Sequence, residues 1–429
     1  MTSTALGGES GTPGAPATPG TARDQARRSR WSWRLVLLVA VMVVLATAVL
    51  RVVTGESDTA SSGALAAALG LAVPIGLAGL GGLWSERAGV VNIGLEGMMI
   101  LGTWGAAFFA LHWGPWAGLL GGILLGAVGG ALHALATVTF GVDHVVSGVA
   151  INLIGMGGAK YLAARTFTGT EGGGASQSPP LPSLPTLSLP GASAGLGSIE
   201  SRQWFGVSDL AGILAGLLTN LSVLTVLAVG LFAASWWVLW RTTFGLRLRS
   251  CGEAPAAAET LGVNVYLHKW IAVLISGGLA GLGGAYLSLV ADNIFRDGQT
   301  GGRGYIGLAA MIFGNWRPGS LAGGSLLFGY FDAIQLRGNA IHALLLLAGV
   351  VLIGYAGWRL WRRRGVVGAL AVLALGVGCV VVHLASDSVP GQLTSLAPYV
   401  ATLLVLALAS QSLRMPAADG KIYRKGEGH

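Results

Sequence analysis

Apolar residues along this chain fall into runs separated by short polar stretches. About 20 consecutive apolar residues are enough for a helix to cross the hydrocarbon core of a bilayer. The pattern therefore predicts an all-α protein, a polytopic bundle of about 10–12 membrane segments. A shorter apolar stretch at 304–316 ends in the sequence NWRPG. The predicted long segments are 35–53, 62–83, 89–112, 115–138, 145–163, 212–240, 270–290, 319–336, 340–358, 366–384 and 397–414.

Composition agrees with this class. Of the 429 residues, 53% are hydrophobic, 10% are charged and 70 are glycine, a content that suits helices packed closely in lipid. The net charge of +8 could indicate a nucleic-acid partner, but the basic residues cluster in short loops and tails, as the positive-inside rule expects. Cys251 and Cys379 are the only cysteines, so the sequence predicts neither a disulfide framework nor a metal site.

The distribution of charge decides the predicted topology. With the Arg-rich N-terminus inside and 304–316 crossing the membrane, 19 of the 26 Lys and Arg residues lie inside. If 304–316 does not cross, only 11 of the 26 do. The first arrangement obeys the positive-inside rule, so we predict a short crossing and two cytoplasmic termini. It places 164–211 outside and 241–269 inside.

These boundaries divide the chain into a central core with additions at both ends. The proline-rich sequence SPPLPSLPTLSLPG lies in the outer segment 164–211 and favours extended backbone. In the inner segment 241–269, we expect a short helix over Ala254–Leu261 that ends before Gly262. The predicted units are a disordered cytoplasmic tail (1–34), an extra first transmembrane helix (35–53), the core (62–358), C-terminal transmembrane helices (359–414) and a cytoplasmic tail (415–429).

The sequence GLAGLGG occurs twice, at 76–82 and at 278–284. IGLEGMMILGTW follows the first copy and IGLAAMIFGNW follows the second, in the same order and with one residue deleted. Under the topology above, the two copies run in opposite directions, which predicts an inverted-topology repeat. Transporters place substrate pathways at such repeat interfaces. The alternative is two similar glycine-rich helices without symmetry.

Glu96 is a carboxylate within an apolar segment and aligns with Ala309 in the second copy. If the helix starts near Gly89, Asn92 lies one turn before Glu96 on the same face. Charged residues at such a depth usually face a bundle interior or an aqueous pathway. We therefore expect Glu96 to serve the transport pathway. A helix-to-helix hydrogen bond or an ion pair with Arg87 is the structural alternative.

Four motifs together resemble the nucleoside and simple-sugar branch of bacterial ABC importer permeases, within the branched-chain amino acid and ribose permease group. The resemblance covers about 62–358, and the first motif is long and specific. The four are SERAGVVNIGLEGMM (85–99), PPLPSLPTLSLPG (179–191), FGLRLRSCGEAPAAAETLGVNV (244–265) and GRGYIGLAAMIFGNWRPGSLAGGSLLFGYFDAIQLR (302–337).

The resemblance implies a subunit of the bacterial cell membrane that works with several partners. These are a second permease or another copy of this chain, a cytoplasmic ATPase that binds ATP and magnesium, and an extracytoplasmic binding protein or lipoprotein. The sequence itself lacks the P-loop pattern and any spacing typical of catalytic or metal sites, so we expect no enzyme activity and no cofactor on this chain. The segment 244–265 resembles a coupling loop for the ATPase, with Glu253, Ala254, Ala257 and Gly262 as its recognisable points. An ordinary cytoplasmic loop is the alternative.

The predicted function is ATP-driven import of nucleosides, with this chain forming the translocation pathway. A nucleoside needs stacking surfaces and hydrogen-bond partners, although each candidate, taken singly, is of a type that packs more often than it contacts substrate. Simple sugars or amino acids are the alternative substrates, and a gradient-driven secondary transporter or channel is the alternative class. The pathway candidates are Asn92, Glu96, Trp104, Phe108, Asn152, Phe313, Asn315, Asp332 and Gln335.

Overall fold

The computed structural model describes residues 33–188, 191–335, 337–362, 365–394, 396–397, 400 and 413–426. Contacts divide the chain into two compact units, 1–46 and 47–429. Of the first unit, the described part is the beginning of one helix. The second unit contains the remaining elements, and all contacts described below lie within it.

Apolar segments form helices throughout the described chain, and the breaks between them fall mostly at glycine, proline or polar residues. Two short π-helical stretches, Leu135–Thr139 and Leu287–Ala291, extend α4 and α11. The helices are α1 (Trp33–Thr54), α2 (Ser62–Arg87), α3 (Leu95–Trp113), α4 (Pro115–Ala134), α5 (His144–Phe167), α6 (Ala192–Glu200), α7 (Val207–Leu218), α8 (Val223–Arg241), α9 (Thr243–Glu253), α10 (Pro255–Thr260), α11 (Val265–Tyr286), α12 (Arg303–Phe313), α13 (Pro318–Ile334), α14 (Gly338–Trp361), α15 (Val366–Ala385) and α16 (Gly391–Thr394).

Two strands, β1 (Thr186–Leu187) and β2 (Leu221–Ser222), pair antiparallel and tie the proline-rich segment to the start of α8. Prolines before β1 leave that segment without a helix, as expected. The outer segment 164–211 is not all loop, however, because it also contains α6 and the beginning of α7.

Glycines let the central helices approach closely. A Cβ atom at Gly81 of α2 would lie 2.5 Å from the carbonyl oxygen of Ser276 in α11. Further along the same pair, a Cβ atom at Gly283 would lie 3.0 Å from the carbonyl oxygen of Pro74. Residue number rises along α2 as it falls along α11, so the two helices are antiparallel. Helices α3 and α4 approach α11 in the same close way, since Gly102 of α3 and Gly126 of α4 both lie against Gly281 of α11.

The two GLAGLGG copies lie on α2 and α11 and therefore run in opposite directions. Gly89 and Gly302 each lie four residues before the matching isoleucine of the motif that follows, and both have a left-handed backbone, with φ of 82° and 81°. Each GLAGLGG helix packs against the second motif of the other copy: α2 meets α12, and α11 meets α3. A two-fold relation between the two halves stays a prediction.

Seven helices in the described part of the chain are long and apolar enough to cross a membrane. They are α2, α4 with its π extension, α5, α8, α11 with its π extension, α14 and α15. Val41–Thr54, α7 and α12 are shorter apolar helices. The polytopic helical bundle is confirmed. Most of the predicted 397–414 segment and nearly all of the 1–34 tail lie outside the described residues.

Helix α12 ends at the same end of the bundle as the predicted coupling loop. Trp316, just after α12, contacts Arg87 at the end of α2. The backbone of Gly252 in α9 also lies against Arg87. This common location agrees with the inward placement of Arg317 and of 241–269, although the membrane topology itself stays a prediction.

That topology can be tested by cysteine labelling in a background with Cys251 and Cys379 replaced. We expect an impermeant maleimide added from outside to label Asn339→Cys but neither Arg317→Cys nor Thr260→Cys, all three being exposed positions. Permeabilised cells provide the control, because all three positions should then react. Outside labelling of Arg317→Cys without Asn339→Cys would show the topology to be inverted after α12.

Candidate functional site: an unwound segment and its coupling face

The residues between α2 and α3, 88–94, leave the helical path and are called here the unwound segment. Buried backbone groups outside a helix need partners, since an unpaired one is costly in an apolar interior. Side chains from elsewhere provide them. The backbone N–H of Val91 donates to Nδ1 of His144 at 3.2 Å, and Nε2 of His133 meets the carbonyl oxygen of Val91 at 3.0 Å.

Two asparagines complete the pairing. Asn92 accepts from the N–H of Gly94 at 3.0 Å and donates to Oγ of Ser276 at 2.8 Å, which joins the unwound segment to α11. Asn152 of α5 donates to the carbonyl oxygen of Ile93 and accepts from the N–H of Gly97 at 2.7 Å. The unwound segment is therefore held from α4, α5 and α11 at once.

Glu96 holds the beginning of α12. Its Oε1 accepts from the N–H of Gly302 at 3.0 Å, and its Oε2 accepts from the N–H of Gly304 at 2.7 Å. The first N–H groups of a helix have no partner within it, and the helix dipole favours a negative charge there. A Cβ atom at Gly304 would lie 2.6 Å from Cα of Glu96, so only glycine fits.

The placement of Glu96 corrects one step of the sequence reasoning. Helix α3 begins at Leu95, so Glu96 is its second residue, and Asn92 lies in the unwound segment instead of on the same helical face. The helix starts late because Asn92 and Asn152 bind the amides that an earlier start would use. The alternative ion pair is absent among the described residues, since Arg87 instead donates to Trp316 and lies 3.9 Å from Glu253.

A second charged group lies beside this contact. Arg303, between the two glycines that Glu96 binds, donates to Oδ2 of Asp332 through Nη2 at 2.6 Å and through Nε at 3.1 Å. Gln335, the first residue after α13, donates to Oδ1 of Asp332. Asp332 therefore contacts both Gln335 and Arg303, the first residue of α12.

The remaining pathway candidates lie apart from this group. Trp104 and Phe108 stack on each other along α3, with ring centroids 5.1 Å apart. Phe313 packs against Phe328 at the other end of α12. Asn315 follows it with a left-handed backbone (φ 53°) and accepts from the N–H of Arg414 at 2.8 Å. The structure brings Asn92, Glu96 and Asn152 together around the unwound segment. Asp332 and Gln335 join this group through Arg303. Trp104, Phe108, Phe313 and Asn315 lie elsewhere.

The predicted coupling loop contains the expected short helix, α10. Helices α9 and α10 together are called here the coupling segment (243–260). It ends before Gly262, whose φ of 82° is the left-handed conformation that glycine adopts most easily. Ala254 and Ala257 are exposed beside Leu261, which is 85% exposed. Glu253 lies at the junction of α9 and α10, where it meets Arg87 and the N–H of Ala417. The coupling segment therefore presents an outer face of small and apolar residues.

Sequence reasoning missed His133, His144, Ser276, Arg303 and Tyr305 as parts of this site. The two histidines look isolated in the sequence, because their shared partner Val91 lies far from both. Arg303 carried a signal, since it is a charged residue three positions before the second IGL motif. Tyr305 accepts from Asn152, a contact that depends on how α5 and α12 pack.

A family model, described as the permease component of branched-chain amino acid transport systems, matches residues 64–356. That range is most of the chain and includes both GLAGLGG copies, the unwound segment and the coupling segment. The chain belongs to this permease family. The permease also has curated relatives among ABC transporter permease proteins.

The guanosine ABC transporter permease protein NupQ of Bacillus subtilis is 37% identical over 64% of this chain and 82% of its own length. The nucleoside ABC transporter permease protein NupC of Lactococcus lactis is 33% identical over 82% of this chain and 94% of its own. A putative glucose ABC transporter permease protein, TsgC13 of Haloferax volcanii, is 36% identical over 66% and 80%. No solved structure matches the permease.

Glu96→Ala should lower the stability of the permease by about 1–3 kcal/mol, because the N–H groups of Gly302 and Gly304 lose their acceptors. Glu96→Gln should cost less, since the amide oxygen can still accept one of the two bonds. Thermal unfolding in detergent measures this order.

Gly304→Ala disrupts the same contact from the α12 side and should lower the stability by a similar amount to Glu96→Ala. Gly157→Ala in α5 is the matched control, because nothing lies within 4 Å of an added Cβ atom there. Uptake normalised to the assembled complex then tests the pathway role. A Glu96→Ala complex that assembles and transports normally would contradict that role, and unchanged stability would contradict the capping contact.

Proposed function

We propose that this permease is the membrane-spanning subunit of an ATP-driven importer for nucleosides. The observation that carries the substrate class is the similarity to two permeases named for guanosine and for nucleosides, one of which is matched over 94% of its length. Import of a neutral, hydroxyl-rich molecule also suits the charges of the site. The carboxylate of Glu96 is stabilised by hydrogen bonds from two backbone amides, and Arg303 is paired with Asp332.

The pairing of these charged groups with partners inside the protein bears on the choice of substrate. A free amino acid carries an ammonium and a carboxylate, and each would need an opposite charge along a dry path. Nucleosides and simple sugars need hydrogen-bond partners and apolar surface instead. Simple sugars are the second candidate, supported by the relative named as a putative glucose permease.

Energy would come from an ATPase that binds the coupling segment. The supporting geometry is the exposed outer face of α10 and the tight turn at Gly262. The end of α9, just before them, lies against Arg87 at the end of α2. Through Arg87, this end of α2 meets Trp316 after α12, and the unwound segment follows directly. Displacement of the coupling segment would therefore act on the end of α2, which the unwound segment follows, and through Arg87 on the end of α12.

The translocation pathway would run beside these interrupted elements. In this account Asn92, Glu96 and Asn152 set the path of the backbone, and Asp332 and Gln335 set the position of Arg303. A second permease subunit or another copy of this chain would form the other wall. An extracytoplasmic binding protein would deliver the substrate.

Reconstitution of the permease with its ATPase, second permease and binding protein in vesicles tests this proposal. We expect uptake of labelled guanosine that needs ATP and that excess unlabelled nucleosides inhibit more strongly than glucose. Glu253→Arg and Gly262→Arg should abolish uptake and weaken ATPase association, since both place a large cation at the docking face.

Gly191→Arg is the matched control for Gly262→Arg. Gly191 also has a left-handed backbone and open space around it, but it lies in the segment 164–211 that we place outside. Normal uptake by Gly262→Arg would contradict the coupling assignment. Inhibition by glucose but not by nucleosides would support the sugar alternative, and uptake without ATP would contradict the ABC mechanism.

A further inference from the structure

The chain segment 413–426 lies against the coupling segment, although the sequence there is polar and rich in basic residues. We call this segment the C-terminal bracket. Its Ala418 N–H donates to the carbonyl oxygen of Gly252 at 2.8 Å, and its Ala417 N–H donates to Oε2 of Glu253 at 3.2 Å. Both acceptors lie at the end of α9, where the chain turns into α10.

The bracket also contacts the unwound segment. A Cβ atom at Gly89 would lie 3.2 Å from the carbonyl oxygen of Ala418 and 3.1 Å from Cα of Gly252. A Cβ atom at Gly420 would lie 3.4 Å from Cγ2 of Val91. Gly89 thus touches the bracket and the coupling segment simultaneously, and the three backbones pack without intervening side chains.

Further contacts fix the two ends of the bracket. At one end, the N–H of Arg414 donates to Oδ1 of Asn315, which follows α12. At the other end, the hydroxyl group of Tyr423 donates to Glu259 of α10, and its ring lies 5.4 Å from that of Tyr266. The bracket therefore spans from the end of α12 to the far end of the coupling segment.

The bracket lies beneath the coupling segment and leaves its outer face open. Ala418 and Asp419 are buried, whereas Ala257, Thr260 and Leu261 remain exposed. A segment that blocked the ATPase would cover those outer residues. The contacts instead join the inner side of α9 and α10 to the unwound segment.

We propose that the C-terminal bracket is a positioning element that transmits movement of the coupling segment to the unwound segment. This inference rests on the proposed function, since it assigns the bracket a part in coupling ATP hydrolysis to transport. The bracket leaves the outer residues Ala257, Thr260 and Leu261 exposed. Its residues position the coupling segment through backbone contacts.

Asp419 gives the bracket a distinctive pH response. Burial raises the pKa of its carboxyl group to about 7, although contact with Glu86 and the charges of Lys269 and Arg87 act in the opposite direction. Glu253 instead accepts from the backbone N–H of Ala417. Because the raised pKa means that the docked state favours protonated Asp419, docking is stabilised most at pH values below the ordinary aspartate pKa. This stabilisation is lost as the pH rises through about 7.

The test measures nucleoside uptake per ATP hydrolysed in reconstituted vesicles containing the full complex. Two variants should disturb the bracket: deletion of 413–429, and Ala418→Trp, whose side chain cannot fit against Gly89 and Gly252. We expect both to keep ATPase association and hydrolysis while uptake per ATP falls severalfold. Met415→Ala, at an exposed bracket residue, should behave as wild type.

The pH profile of uptake per ATP distinguishes this positioning role from a purely structural role of the bracket, which would leave the profile unchanged. Uptake per ATP should fall between pH 6 and pH 8 in the wild type and stay level in Asp419→Asn, which keeps the shape without the charge. Unchanged coupling in both disrupted variants would overturn the proposal, as would increased transport or loss of the ATPase. Absence of ATP-driven uptake in the wild type would instead contradict the proposed function itself.

Discussion

The hydrogen bonding of backbone groups at interrupted helices is the constraint on which this structure depends. The unwound segment and the beginning of α12 expose N–H and C=O groups in the interior of an apolar bundle, where each needs a partner. His133, His144, Asn92 and Asn152 serve the first interruption, and Glu96 serves the second. The polar residues that stand out in this glycine-rich sequence thus bind backbone before anything else, and any contact with substrate comes in addition.

Close packing makes those interruptions possible. Glycines along α2, α3, α4 and α11 let backbones meet where side chains would collide, so side chains from three helices can reach one short segment. Because α2 ends beside the coupling segment and α12 ends beside Arg87, the interrupted elements and the proposed ATPase face form one contact network. This arrangement gives a physical route by which a cytoplasmic event could alter the interior.

The sequence was a good guide wherever long-range packing did not decide the outcome. Apolar runs predicted the long helices, the alanine-rich stretch before Gly262 predicted α10, and the NWRPG sequence marked the end of 304–316 as a separate element. The start of α3 was placed six residues too early, because the groups that unwind 88–94 come from α4 and α5 and cannot be located without the packed structure. For the same reason the role of Glu96 at Gly302 and the docking of the polar C-terminal segment could not be predicted.

Amide hydrogen exchange in lipid nanodiscs tests the central claim most directly. If side chains hold the interruptions, the amides of Val91, Gly94 and Gly97 should exchange as slowly as those within α3, despite lying in or beside non-helical backbone. Asn152→Leu removes one acceptor at similar size, and exchange at Gly97 should then accelerate while exchange within α11 stays unchanged. Exchange of Val91 and Gly94 in the wild type as fast as in the exposed loop 169–172 would contradict the account.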